Sequence, residues 1–424
     1  MASKKEGLEA AKLLVNGEAI GLIEKINGEY LYWDKVKYLT KERQLENKFL
    51  WLAAKQVRAL SYKKIQLGSY IFRYVVTDEM FELLHELDRN IGDGSDLKNV
   101  VPSHQKNSFV VSSIMEEAIA SSQLEGASTA RKVAKEMLWK NDKPQDVSQQ
   151  MIANSYHAIG HIKGNAQHDF STERLKEIHR LMTVGTLDNP DEAGKIRHRN
   201  RAAANSGIAV HTPPAHTEVK NLLQDFGMFF NKSNHHFIHP IVKGIIIHFL
   251  LAYIQPFSSS NGRTARSLLY WYLIKQGYQM VEYLSVSRLF YKSKRQYEKA
   301  FLCAECDEND LTYFILYHLK IMKEALEEMK AYRKRNVAEN SSVVALTQAP
   351  HLNLRQAQMV KLLTERPAAV LTVKEAETRF AISNQTAKND LTALVQLGIL
   401  TEFAINKRKS GYAKSKDFDV KILP

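Results

Sequence analysis

The sequence predicts a mainly α-helical protein of several domains, and three observations carry that prediction. Its 424 residues, 44% of them hydrophobic, are enough to bury ample cores, and the length alone points to two or three domains. From Ser108 to about Tyr332 the text is helical nearly throughout, with one Gly/Pro/His-rich interruption, RNRAAANSGIAVHTPPAHTEV. Beyond residue 350, three short amphipathic segments precede two strand-like ones, the layout of a winged helix-turn-helix.

Taken in order, residues 1–107 read as an N-terminal α/β extension. In it GLIEKINGEYLYWDKVKYL alternates around Asn27-Gly28, a two-residue hairpin signal, before helical text resumes at KERQLENKFLWLAAKQVRAL. Residues 108–335 form the central helical domain. Within it HPIVKGIIIHFLLAYI is apolar on almost every side and predicts a buried central helix that ends at Pro256. Lys243 and His248 interrupt its apolar run, which is shorter than the roughly 18 residues of a membrane span. The first residues lack the apolar stretch of a signal peptide, and two cysteines in so long a chain fit a reducing compartment, so a cytoplasmic location with no membrane contact is expected. Those cysteines, Cys303 and Cys306, form a CxxC without a second ligand pair and read as helix residues.

VAENSSVVALTQAP, polar and small, reads as the linker at 336–350, leaving 351–424 as the last domain. Its helices are expected at Leu354 to Leu363, Thr372 to Phe380 and Asn384 to Leu397, the third capped by Ser383 and apolar at Ala387, Leu391, Leu394 and Val395. Two strands are expected to flank INKRKSGYAKSKDF. Net charge is +13 overall, and from Leu346 to the end 12 Lys/Arg face 7 Asp/Glu. Asn384, Gln385, Thr386, Lys388 and Asn389 could reach base edges, and the basic hairpin could lie on phosphate, so duplex DNA is an expected partner. Winged helices also serve as protein-binding modules, which stays open as the other reading.

The stretch YIQPFSSSNGRTAR carries the chemistry. A Ser/Asn/Gly loop just before a helix presents free backbone N–H groups with the helix dipole behind them, a nest for anions. Arg263 and Arg266, three apart in the first turn, are expected on one side as bidentate phosphate donors.

With QPFSSSNGRTAR the chain resembles the Fic (filamentation induced by cAMP) family, whose motif reads His-Pro-Phe-x-Asp/Glu-Gly-Asn-Gly-Arg-x-x-Arg. Pro256, Phe257, Asn261, Gly262, Arg263 and Arg266 match it. A second element, the inhibitory Ser/Thr-x-x-x-Glu-Gly/Asn, is matched in IASSQLEGAST by Ser121, Glu125 and Gly126. GKIRHRN is similar to the family's Gly-x-x-Arg, and SGIAVHTPPAH to its substrate-binding flap, so a Fic helical bundle with a small β-hairpin flap and a C-terminal winged helix is expected. The resemblance implies AMP transfer from ATP to a hydroxyl of a protein target or of the chain itself, with a homodimer left open. It implies phosphate contacts from Phe257, Ser260, Asn261, Gly262, Arg263 and Arg266, catalytic roles at the positions of Gln255, Asn261 and Arg263, and autoinhibition by Glu125 paired with Arg266.

The chain departs from the motif in its reacting loop. Gln255 stands where the family has its histidine base, Ser259 where it has the acidic Mg²⁺ ligand, and Ser260 where it has glycine. An amide accepts no proton near neutral pH, and a hydroxyl is a poor Mg²⁺ ligand beside a carboxylate, so metal binding is expected to be weak or lost. Loss of the base alone costs roughly 10²- to 10⁴-fold. Ser260 strains the loop if φ > 0 is needed there. His248 lies two helical turns, ~10 Å, before Gln255 and is no substitute; His211 and His216 are expected to meet target or solvent, and His179 and His239 to serve packing and capping. The expectation is an impaired adenylyltransferase, and the alternative a non-catalytic, nucleotide-responsive DNA-binding regulator.

Overall fold

A computed structural model describes residues 3–40, 46–92, 103–200, 211–232, 236–347, 352–406 and 409–422. Four helices open the chain: α1 (Lys4–Leu13), α2 (Gly17–Gly28), α3 (Trp33–Val36) and α4 (Asn47–Ala59). They bury Ala19, Ile23, Ile26, Leu50 and Ala53 in a small core of their own. The hairpin expected at Asn27-Gly28 is instead the last turn of α2, because Ala19, Ile23 and Ile26 recur at helical spacing and pull the segment onto α4. Asn27 is used there as a bracket: its amide donates to the Ala54 carbonyl and accepts from Arg58 Nε.

The hairpin lies further on. β1 (Lys63–Leu67) pairs antiparallel with β2 (Tyr70–Tyr74), and the Leu67↔Tyr70 register leaves Gly68 and Ser69 as its two-residue turn. Gly68 has φ 58°, and a Cβ there would sit 2.9 Å from the Leu222 side chain. The inward residues Ile65, Leu67, Phe72 and Tyr74, together with α5 (Asp78–Ile91), join the main core.

That core is built from α6 (Ser103–Leu124), α7 (Arg131–Lys140), α8 (Val147–Gly164), α9 (Thr172–Thr183), α10 (Val219–Asn231), α11 (Pro240–Ile254), α12 (Asn261–Lys275), α13 (Val286–Lys292), α14 (Lys294–Cys306) and α15 (Thr312–Thr347). As expected, α11 is the central helix, and every residue from Ile241 to Leu251 is buried. His239 caps it, accepting from the Ile241 N–H, with Pro240 in the first turn where its missing N–H costs nothing. The one cation inside it, Lys243, donates to the Lys232 carbonyl and rides over the Phe229 and Tyr272 rings; burial lowers its pKa to about 8.

The last domain is α16 (Leu354–Glu365), α17 (Val373–Phe380), α18 (Asn384–Gln396), β3 (Leu400–Asn406), β4 (Lys409–Lys414) and α19 (Phe418–Ile422), with a separate core. Ser383 caps α18, and Ala387, Leu391 and Leu394 are buried, as their spacing predicted. The two strands do not flank the basic stretch, since β4 runs inside it; Lys407 and Arg408 lie outside the described residues. The expected linker also differs: through Thr347 it continues α15 as helix. The expected hairpin flap falls largely on residues 201–210, outside the described residues. Helix α17 packs against α6 and α7, where the Arg379 guanidinium lies 3.9 Å over the Trp139 ring and Arg366 pairs with Glu136. Among the described residues no helix is long and apolar enough to cross a membrane.

Candidate functional site

Helix α11 stops at Pro256, and Gln255 closes it in a left-handed conformation at φ 45°. The carbonyls this leaves are gathered by Arg197, only 6% exposed: its Nε donates to Gln255 O at 2.7 Å and its Nη2 to Ile254 O at 3.3 Å, while Nη2 also donates to Pro214 O at 2.5 Å. Its own N–H donates to Pro256 O at 2.9 Å. Gly194, three residues earlier, has φ 73°, and a Cβ there would meet the Lys176 carbonyl at 2.7 Å.

The loop from Phe257 to Ser260 is held from both sides. Asn261 brackets Phe257, accepting from its N–H at 3.0 Å and donating to its carbonyl at 2.9 Å. The His179 ring lies flat on the Phe257 ring, centroids 3.7 Å apart. His179 Nδ1 accepts from the Gly194 N–H at 3.0 Å, so the ring proton is on Nε2, which donates to Ser259 O at 3.2 Å. Burial keeps this ring neutral and lowers its pKa to about 4. Ser260 takes φ 57°, the conformation that glycine adopts without strain, and its Oγ accepts from Arg263 Nη2 at 2.6 Å. The hydroxyls of Ser258 and Ser259 are buried and pair with nothing.

Helix α12 begins at Asn261, and its first helical bond is Thr264 N–H to Ser260 O at 3.1 Å. The N–H groups of its opening turn therefore point forward without helical partners. Glu125, just beyond the end of α6, lies over them: a Cβ on Gly262 would be 2.1 Å from Glu125 Oε1. The same oxygen is 3.2 Å from Arg266 Nη2. Arg266 also donates from Nε to Ser121 Oγ at 2.9 Å and from Nη2 to Ser121 O at 2.8 Å. Gly126 turns the chain away at φ 99°. Glu125, Gln255, Ser260, Asn261, Gly262 and Arg266 line one side of a cavity of about 320 Å³. Its other side is a face of α14, with Lys294, Tyr297, Glu298, Phe301 and Glu305.

Residues 169–273, which hold the loop, both arginines and the His179 support, match the Fic/DOC family. The chain carries a Fic domain. Residues 355–403 match the DeoR-like helix-turn-helix domain. The chain is similar to the protein adenylyltransferase Fic of Drosophila melanogaster, 27% identical over 194 residues, which is 42% of this chain and 38% of the relative. The Aedes aegypti protein of the same name is 32% identical over 116 residues, 27% of this chain and 22% of the relative. The chain thus spans well under half the length of these curated relatives. In fold it is similar to a Fic family protein from Desulfovibrio desulfuricans G20 (17% identity, TM-score 0.53, 81% of this chain and 98% of that one). Fic-1 of C. elegans is similar too (16%, TM-score 0.51, 75% and 86%).

Within the Fic domain the expected site residues do not all face the cavity. Arg263 diverges from Arg266: it is 2% exposed, turns toward α8 and donates to Met151 O, and burial lowers its pKa to about 10. Phe257 is wholly buried beneath the loop, and the Asn261 amide is spent on Phe257, leaving its backbone for the cavity. The residues at the expected metal position do not fit a hard cation. Ser259 Oγ is enclosed away from the cavity, and no group of three His, Cys, Asp or Glu able to hold a metal exists among the described residues. Cys303 and Cys306 are free thiols on α14.

His211 corrects the expectation that it meets target or solvent. Its Nε2 donates to Tyr253 O at 2.7 Å and its Nδ1 faces Glu305 Oε2 at 3.1 Å, which places the ring in the cavity wall. Both ring nitrogens are thus engaged by neighbours in the wall. His216 stays outside, held by Asn200. Sequence reasoning missed the α14 face, whose signal was present: Lys294, Tyr297, Glu298, Phe301 and Glu305 recur at helical spacing along one side.

Proposed function

We propose that this Fic domain is a nucleotide site of the protein-adenylyltransferase type, restrained by Glu125 and impaired in its reacting loop. The observation that carries the reading is the place of the Glu125 carboxylate, against the Gly262 backbone and on the Arg266 guanidinium. An anion belongs there, at a helix N-terminus backed by a buried arginine. ATP would put its terminal phosphates in the same place, so Glu125 and those phosphates exclude one another.

In AMP transfer a protein hydroxyl oxygen attacks the α-phosphorus, the bond to the β-phosphate oxygen breaks, pyrophosphate leaves and the hydroxyl proton goes to a base. Gln255 lines the cavity where that base belongs but cannot take the proton. Backbone N–H groups of α12 and Arg266 remain to bind and orient phosphate. A quadruple variant, Gln255→His, Ser259→Asp, Ser260→Gly and Glu125→Gly, is expected to label itself with AMP from α-labelled ATP and Mg²⁺, at least ~10²-fold faster than the unmodified chain. Robust labelling by the unmodified chain would refute impairment; none by the variant would refute the adenylyltransferase reading.

A second reading, a nucleotide-responsive regulator without catalysis, draws on the DeoR-like match and on α18, where Asn384, Gln385, Lys388 and Asn389 are exposed. In it the last domain binds duplex DNA. Replacing Lys407, Arg408 and Lys409 by alanine is expected to lower the slope of log affinity against log salt by roughly 3; an unchanged slope would assign this domain to protein partners.

A further inference from the structure

Arg263 is 2% exposed, yet a guanidinium brings a charge and five N–H donors that need acceptors. Among the described residues it meets two, both neutral. Nη1 donates to Met151 O at 3.2 Å, a carbonyl it shares with the Ser122 hydroxyl, and Nη2 donates to Ser260 Oγ at 2.6 Å. Its Nε is buried and has no partner among the described residues, while the Glu125 carboxylate pairs with Arg266 instead. The buried cation is therefore held by less than it can use.

Ser260 is the holder that faces the cavity. A serine just before a helix ordinarily has extended backbone and accepts from the N–H of the second or third helical residue. Ser260 sits at φ 57° and ψ 19° and makes no such bond, so its oxygen is left for the Arg263 side chain. The guanidinium thus stands one hydrogen bond behind a residue of the cavity wall, on the same helix as Arg266, which lines that wall. Glycine would take this backbone conformation without strain and would offer Arg263 no oxygen. The hydroxyl is the tie on the cavity side.

We propose that Ser260 is a latch, whose hydroxyl holds Arg263 behind the cavity wall and leaves bound phosphate to Arg266 and the α12 backbone. Without the hydroxyl, Arg263 turns to the cavity and meets a second phosphate group of the same ligand, where charge-assisted bonds replace its two neutral ones. The ligand class is a polyphosphate chain, with pyrophosphate as its smallest member. The proposal rests on the reading of the cavity as a phosphate site. It adds that residue 260 sets how many arginines that site uses.

Calorimetry with pyrophosphate on the full-length Glu125→Gly chain tests the latch. In that background Ser260→Ala, which removes the hydroxyl and keeps a side chain at positive φ, should tighten binding about tenfold, the worth of a charged hydrogen bond. Arg263→Gln should cancel that gain. Binding that Ser260→Ala leaves equal or weaker overturns the proposal, as does a gain that survives Arg263→Gln. Should Arg263→Gln not fold, ¹⁵N-arginine spectra decide: pyrophosphate should shift the Arg263 Nε–H signal in Ser260→Ala and leave it in place in the chain that keeps Ser260, and equal responses overturn the latch. Without ligand, Ser260→Ala should speed exchange of that proton with solvent roughly tenfold or more, and unchanged exchange also overturns it. If pyrophosphate binds none of these chains, the phosphate-site reading falls, and the exchange rate decides the latch alone.

Discussion

The loop from Gln255 to Ser260 and the clasp formed by Ser121, Glu125, Gly262 and Arg266 face the same cavity but are built to different standards. In the loop, two non-glycine residues sit at positive φ and two buried hydroxyls have no partner. In the clasp, glycine stands where a side chain could not fit, and the buried arginine is met by a serine and a carboxylate. The half that would orient phosphate is structurally complete; the half that would move a proton carries strain and unmet polar groups. Such features persist where the surrounding structure over-determines them, and of the two regions facing this cavity the loop carries them and the clasp does not.

The loop rests on a buried neutral histidine, which sets the largest expected effect. His179 takes up a proton when the chain unfolds, so its stabilisation is complete above pH ~6.5. It falls as pH drops toward about 4. Urea unfolding should show a loss on the order of 3 kcal/mol at His179 alone across that window, and His179→Asn should flatten the slope there. A slope that the variant leaves unaltered would separate the loop from this support.

The clasp can be broken on its own. Gly262→Ala drives a methyl into the Glu125 carboxylate and should cost about 1–3 kcal/mol, with most of it recovered in Glu125→Gly/Gly262→Ala. A purely additive double variant would mean the two residues do not meet in solution. In the loop the sign reverses: Ser258→Ala and Ser259→Ala remove unpartnered buried hydroxyls and should stabilise by up to about 1 kcal/mol each. The smallest effect isolates backbone strain. Ser260→Gly and Ser260→Ala both lose the bond to Arg263, so glycine should exceed alanine by about 0.5–1 kcal/mol.

Continuous periodicity and a compact motif made α11, the start of α12, the capped α18 and the Glu125–Arg266 pair legible in the sequence. The divergence of Arg263 was not, because α12 is buried from Arg263 through Ile274, so each direction around it meets a different neighbour and three-residue spacing no longer fixes a common side. Nor was the support from His179, which is 80 residues from the carbonyl it binds. The hairpin misplaced at Asn27-Gly28 came from a short alternating window, and the true turn at Gly68 is fixed by contact with Leu222, a residue far along the chain.

The carboxylate of Glu125 is carried on the same chain as the helix terminus it covers, with α6 as a stiff mount. A tethered anion of this kind acts at an effective concentration in the millimolar range or above, set by geometry alone. Dilution, dialysis and expression level leave it unchanged. Whatever anion enters the cavity competes with a rival whose concentration never falls, and it gains ground only through contacts that Glu125 lacks or through a movement of the end of α6.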